Sequence, residues 1–177
     1  MKLGVRESQV EDLEKIVDYF LQAEANFLHG MGADKSRLPK KEAWLQALLG
    51  EIAKPYHDKN YYYIIWLVDN EAVGHSNVNH IKFGESATMH LHLWNNKQRK
   101  RGFGLSFLKM TIPYYFKNLD LKKVICEPYS KNSGPNKILK KFGFDLVRTY
   151  ETIPGPINFR QIVHQYELTR GRLEELC

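Results

Sequence analysis

The stretch Arg99-Lys100-Arg101-Gly102-Phe103-Gly104 sets three cations beside two glycines one residue apart, and an apolar run, LSFLKM, follows directly. A glycine turn that leads into a helix presents backbone N–H groups, and the helix dipole adds about half a positive charge at that end. That combination suits a phosphate. Ten residues upstream, Thr88, His90 and His92 alternate along ATMHLHLW, a spacing that sets all three on one face of a strand. An imidazole whose ordinary pKa is about 6.5 is suited to passing a proton at neutral pH. Two strand histidines that only hydrogen-bond account for the pattern equally well. As a metal pair, H-x-H lacks a third ligand at telling spacing, so no metal site is expected.

Two familiar phosphate loops do not fit. A G-x-x-x-x-G-K-[ST] loop needs wider glycine spacing and a Lys-Ser or Lys-Thr pair. A dinucleotide fingerprint needs a third glycine where Phe107 stands, inside a parallel βαβ unit.

The elements around these residues read as a mixed α/β chain. LGVRES is a strand closed by a capping box of Ser8 and Glu11, and Leu13, Ile16, Val17, Phe20 and Leu21 recur at helical spacing. The loop HGMGADKSR precedes a second helix, with Pro39 in its first turn and Trp44, Leu45, Leu48 and Leu49 on its apolar side. YYYIIWLV, AVGHSNVNHI and ATMHLHLW are three consecutive antiparallel strands. A helix from Leu105 to about Phe116 is expected to kink or stop early at Pro113. LKKVICEP is a strand, NKILKKFGF a short helix closed by Gly143, and DLVRTYET and IVHQYEL are two late strands around IPGP.

The chain has 177 residues, the size of one domain, and residues 1–177 are read as one. The net charge of +6 is uneven: residues 97–141 hold 12 Lys or Arg against Asp120 and Glu127, a net of +10, while the remainder carries −4. Such a field concentrates anions, whether a phosphate cofactor or a nucleic acid. Apolar runs such as IIWLV fall far short of the roughly 20 residues that span a bilayer. The N-terminal residues lack the apolar core of a secretory signal, so a cytoplasmic protein is expected, with no membrane partner. Cys126 and Cys177 form neither a metal spacing nor a disulfide framework.

R-x-x-G-x-G between the last strand of a meander and a helix resembles the pyrophosphate loop of the GNAT superfamily of N-acetyltransferases, [QR]-x-x-G-x-[GA]. AVGHSNV and ATMHLHLW resemble that family's third and fourth strands. NSGPNKILKKFGF resembles its second signature, with Gly143 and Phe144 at the required distance from Asn132. The resemblance implies a central, mostly antiparallel twisted sheet flanked by helices and splayed between the fourth and fifth strands. It implies acetyl-CoA as cosubstrate, gripped by the backbone of Lys100, Arg101, Gly102, Phe103, Gly104 and Leu105, with the Arg99, Lys100 and Arg101 side chains attracting its phosphates. The backbone amide at Leu93 or Trp94 would face the thioester carbonyl, and Asn132 and Asn136 the pantetheine arm.

An amine of pKa about 10.4 must lose a proton before it attacks a thioester. Thr88 stands where several family members carry a glutamate, which leaves His90 and His92 as the candidate bases. Leu139 stands where the family often carries a tyrosine acid, which leaves Tyr129, water or unaided departure of the thiolate. Phe27, His29 and Met31 are expected to line an acceptor pocket, with Tyr150 to Phe159 closing the other side. The expected activity is acetyl transfer to a small-molecule or peptide amine, without specific nucleic-acid binding. An acyl-CoA-binding module with little turnover is the alternative, and a basic nucleic-acid-binding protein a third.

Overall fold

A computed structural model describes residues 1–94 and 102–176. Arg99, Lys100 and Arg101 therefore lie outside the described residues. In chain order the elements are β1 (Leu3–Glu7), α1 (Leu13–Leu21), α2 (Ala25–Gly30), α3 (Lys41–Ile52), β2 (Tyr62–Val68), β3 (Glu71–Lys82), β4 (Ser86–Leu93), α4 (Phe103–Asn118), β5 (Lys123–Cys126), α5 (Ser133–Phe142), β6 (Asp145–Thr152), β7 (Gln161–Thr169) and α6 (Arg170–Leu176). The seven strands form one open sheet in the order β1-β2-β3-β4-β5-β7-β6, antiparallel except for the β4–β5 pair.

Each face of the sheet has its own core. Trp66, Val78, Met89 and Val124 meet α4 and α5 on one side, where the Trp66 ring stacks on Phe107 at 4.9 Å. Ile65 meets Leu13, Ile16 and Val17 of α1 and Leu48 of α3 on the other. Burial of these aliphatic and aromatic groups is the main favourable term, about 25 cal/mol per Å² of apolar surface removed from water.

Four expectations need correcting. The acidic half of the capping box is Asp12, whose carboxylate accepts the Gln9 N–H at 2.8 Å and the Arg6 guanidinium through two oxygens. Its two-sided engagement with Arg6 selects it over Glu11. Residues Ala25–Gly30 form a helix of their own, and α6 was not anticipated. Leu49 is exposed, because α3 buries Leu48 and turns Leu49 outward. Finally, α4 runs through Pro113 to Asn118. Beyond the proline, Tyr115 is fully buried with its hydroxyl donating to Ser76 Oγ at 2.8 Å, and Phe116 is buried too. That anchoring outweighs the roughly 3 kcal/mol cost of an interior proline.

Candidate active site

The site begins where two strands part. β4 and β5 pair at Ser86↔Lys123, Ala87↔Val124 and Thr88↔Ile125, after which β4 continues to Leu93 while β5 ends at Cys126. β3 stays paired with β4 through Gly74↔Leu93, so β4 keeps its course and the gap opens on its β5 side. Ser76 ties this stretch to the opposite layer: its hydroxyl accepts from Tyr115 and donates to the His90 carbonyl at 2.8 Å. The Trp94 N–H donates to Val73 O at 2.9 Å. That donor is spent on β3, which removes Trp94 as a ligand for a carbonyl oxygen. Antiparallel alternation turns the Leu93 N–H the other way, toward the β5 side.

The β3–β4 register shows no shift between Gly74↔Leu93 and Asn79↔Thr88, so the alternation read from the sequence holds. Met89, Leu91 and Leu93 pack toward α4, and Thr88, His90 and His92 face the α1–α3 layer. A cavity of about 360 Å³ lies there. His90 and His92 line it together with Asn77 and Asn79 of β3, and Met31, Tyr129 and Asn132 contribute to its walls. Pro154 to Asn158 also line it.

Other candidates fall elsewhere. Phe27 and Trp94 line a separate groove along α1 with Glu11, Asp18 and Tyr19. His29 is exposed and stacks on Phe159 at 4.6 Å, and Tyr129 meets the same ring edge-on at 5.6 Å. It braces the rim and is not among the cavity-lining residues. Asn136 is also corrected: its amide donates to Tyr129 O and Asn132 O, and its oxygen accepts the Tyr166 hydroxyl. With these partners and 8% exposure, it organises the β5–α5 turn from within. Asn132, by contrast, makes no side-chain cap bond and lines the cavity. Leu139 is fully buried in the α4–α5 core, so nothing at that position can donate a proton.

Burial decides the histidine electrostatics. His90 is held down at about 4, chiefly by desolvation and secondarily by His80. It is neutral at pH 7, and the expectation of an imidazole titrating near 6.5 is corrected accordingly. Its Nε2 lies 3.1 Å from Asn79 Oδ1, an acceptor, which sets the proton on Nε2 and leaves Nδ1 basic. His75, 1% exposed, is pushed down to about 3 by the same burial, and its Nδ1 accepts the Trp94 indole N–H at 2.8 Å.

The glycine turn has the backbone a phosphate site needs. Gly102 caps α4 at φ +79°, and a Cβ there would meet nothing within 4 Å among the described residues. The Phe103 and Leu105 side chains pack against the core, which leaves only their backbone to face an anion. Gly104 has a second reason to be glycine: a Cβ would sit 2.7 Å from Ile138 Cδ1, so α4 and α5 cross closely there.

A family model described as "Acetyltransferase (GNAT) domain" matches residues 2–145. The chain belongs to the GNAT acetyltransferase family. Among solved structures, it is similar to spermidine N-acetyltransferase from Vibrio cholerae in complex with CoA and spermine: TM-score 0.79, 16% identity, covering 97% of this chain and 98% of that one. It is likewise similar to RimL, a ribosomal L7/L12 alpha-N-protein acetyltransferase in complex with coenzyme A, at TM-score 0.78 and 14% identity over 97% and 96%. An aminoglycoside acetyltransferase in complex with coenzyme A and kanamycin matches at 0.75 and 14% over 98% of both chains. No curated protein matches the sequence. The GNAT chain is thus an acetyl-CoA-dependent acyltransferase, and no helix among its described residues is long and apolar enough to cross a membrane.

Sequence reasoning passed over Asn77, Asn79 and Glu127 as lining residues. A signal existed for the first two: H-x-N-x-N along a central strand puts His75, Asn77 and Asn79 on one face of a buried sheet, where three polar residues need a reason.

Proposed function

We propose that residues 1–177 act as one N-acetyltransferase domain in which a small-molecule or peptide amine enters the cavity beside His90 and attacks the thioester in the β4–β5 gap. The observation that carries this is the β4 edge beyond Thr88, which leaves β5 next to a cavity holding His90. Gly102, Phe103, Gly104 and Leu105 at the start of α4 hold the pyrophosphate through backbone, Arg99, Lys100 and Arg101 add attraction, and Asn132 meets the pantetheine arm. The β4 backbone at Leu93 faces the thioester carbonyl. A cytoplasmic setting is in keeping with the free, buried thiol of Cys126.

The acceptor enters as an ammonium, and the proton it must lose before attack passes through water to the Nδ1 side of His90 and on to solvent. His90, weakly basic, relays the proton without storing it. His92 supports the ring packing beside it. The amine nitrogen bonds to the carbonyl carbon and gives up its second proton, the carbon–sulfur bond breaks, and the thiolate takes a proton from Tyr129 or water, which the nitrogen's second proton restores. The products are the acetamide, coenzyme A thiol and one proton.

Calorimetric titration with acetyl-CoA, paired with thiol release across an amine panel, tests the reading. Saturable binding and thiol release are expected, and His90→Ala should lower kcat about 10² or more while leaving acetyl-CoA affinity nearly intact. Binding without thiol release for any amine would make the chain an acyl-CoA-binding module. Absence of binding by folded protein would overturn the reading.

A further inference from the structure

The cavity carries information about the acceptor beyond its being an amine, an inference that rests on the acetyl-transfer reading. Phe20, Trp44, Leu48 and Ile157 give it apolar and aromatic walls, and Asn77 and Asn79 give it neutral amides. Histidines aside, Glu127 is the one lining residue with a formal charge among those described. Glu127 directly follows β5 and accepts a hydrogen bond from the Tyr150 hydroxyl of β6, which reaches across β7 to hold the carboxylate.

The cavity is also clasped shut on one side. Between α2 and α3, Asp34 N–H donates to Ile157 O at 2.8 Å, and the Gly32 carbonyl accepts from Asn158 Nδ2 at 2.9 Å and Gln161 Nε2 at 2.7 Å. Arg37 adds a fourth link to Asn158 O at 2.9 Å. Gly32 has φ +87°, the left-handed region that favours glycine, and a Cβ there would fall 2.2 Å from Gln161 Oε1, displacing the side chain that donates to the Gly32 carbonyl. The cavity's volume, about 360 Å³, is near the lower end of small-molecule sites, which run from about 300 to 1,000 Å³.

From these walls we infer that the acceptor is a small amine with a single positive charge and an apolar or aromatic body, its ammonium set against the Glu127 carboxylate on entry, before the nitrogen gives up its proton. A desolvated ammonium is strongly unfavourable unless paired. One carboxylate compensates one ammonium, so a polycation would carry further charges into the cavity without partners.

The test uses the full chain with acetyl-CoA and four probes: phenethylamine, spermidine, kanamycin and a neutral tripeptide with a free N-terminus. Thiol release should give phenethylamine a kcat/KM about tenfold or more above each of the others. Glu127→Gln should raise the phenethylamine KM about tenfold or more with acetyl-CoA affinity unchanged, whereas Tyr150→Phe, which keeps the carboxylate, should change it by about threefold or less. Spermidine, kanamycin or the tripeptide matching or exceeding phenethylamine would overturn the inference while leaving acetyl transfer standing. So would a folded Glu127→Gln protein with an unchanged KM. Failure to bind acetyl-CoA would overturn the reading beneath it as well.

Discussion

Cys126 Sγ donates a hydrogen bond to the Met89 carbonyl at 3.0 Å, one step past the last parallel backbone pair, Thr88↔Ile125. A side chain thus takes over where the β4–β5 ladder stops, and fixes the point at which the gap opens. Burial pushes this thiol up to about 12, so it remains an S–H donor throughout the physiological range.

Replacing the donor should therefore matter more than replacing the sulfur. Cys126→Ser keeps an O–H donor and is expected to hold acetyl-CoA affinity within about threefold. Cys126→Ala leaves the Met89 carbonyl without this partner, at a cost of about 1–3 kcal/mol, and should weaken acetyl-CoA binding several-fold. Calorimetry and thermal melts of the two variants check this, and equal behaviour of Ser and Ala would remove the hydrogen bond from the account.

Gly74 marks a second constraint on the same strand. A Cβ there would lie 2.4 Å from the His92 backbone oxygen, and backbone, unlike a side-chain tip, has no rotamer by which to yield. Gly74→Ala should destabilise the fold by about 2 kcal/mol or more and displace β4 at His92. Denaturant unfolding measures the first effect, and lost turnover in the surviving folded fraction the second.

Acid should weaken the protein through two desolvated histidines, His90 and His75. His90 and His75 are held at about 4 and about 3 in the folded chain, below the unfolded value of about 6.5. Between those values the unfolded state binds more protons, so stability is fully present above about pH 6.5 and declines as pH falls through the folded pKa values. For His90 the loss amounts to about 3 kcal/mol at most. His90→Gln should flatten part of the slope of unfolding free energy between pH 6.5 and 4. The same placement means that any rising limb of turnover between pH 6 and 8 belongs to the acceptor amine, and should move with the amine's own pKa.

The two glycines of the phosphate turn should separate cleanly. Gly102→Ala meets no atom of the described residues, so its expected stability cost is that of the positive φ, about 1–2 kcal/mol, while acetyl-CoA affinity should fall about tenfold or more because a Cβ would stand where the pyrophosphate approaches. Gly104→Ala drives a Cβ against Ile138 and should lower stability first. Adding Ile138→Ala should recover part of that loss, a non-additivity that a double-mutant cycle reads directly. Additive effects would mean that the α4–α5 crossing does not set the glycine.

Period and punctuation settled much of this protein in advance. Alternation in YYYIIWLV, AVGHSNVNHI and ATMHLHLW, helical spacing in α1 and the glycine stop at Gly143 are local facts of the chain, because side-chain direction follows backbone geometry within a few residues. For the same reason the shared face of Thr88, His90 and His92 was legible, and the R-x-x-G-x-G turn marked its helix start. Tertiary structure alone decided the rest. Whether Asn136 meets a ligand or the Tyr166 hydroxyl, whether α4 survives Pro113, and whether Trp94 offers its N–H or spends it on Val73 depend on partners distant in sequence. The same holds for the His90 pKa, since burial is conferred by α1, α3 and the β6–β7 connection together. Glu127 reads as one acid in a basic stretch until the fold makes it, histidines aside, the one formally charged residue among the described residues that line the cavity. Desolvation is a property of the assembled environment, and no residue carries it alone.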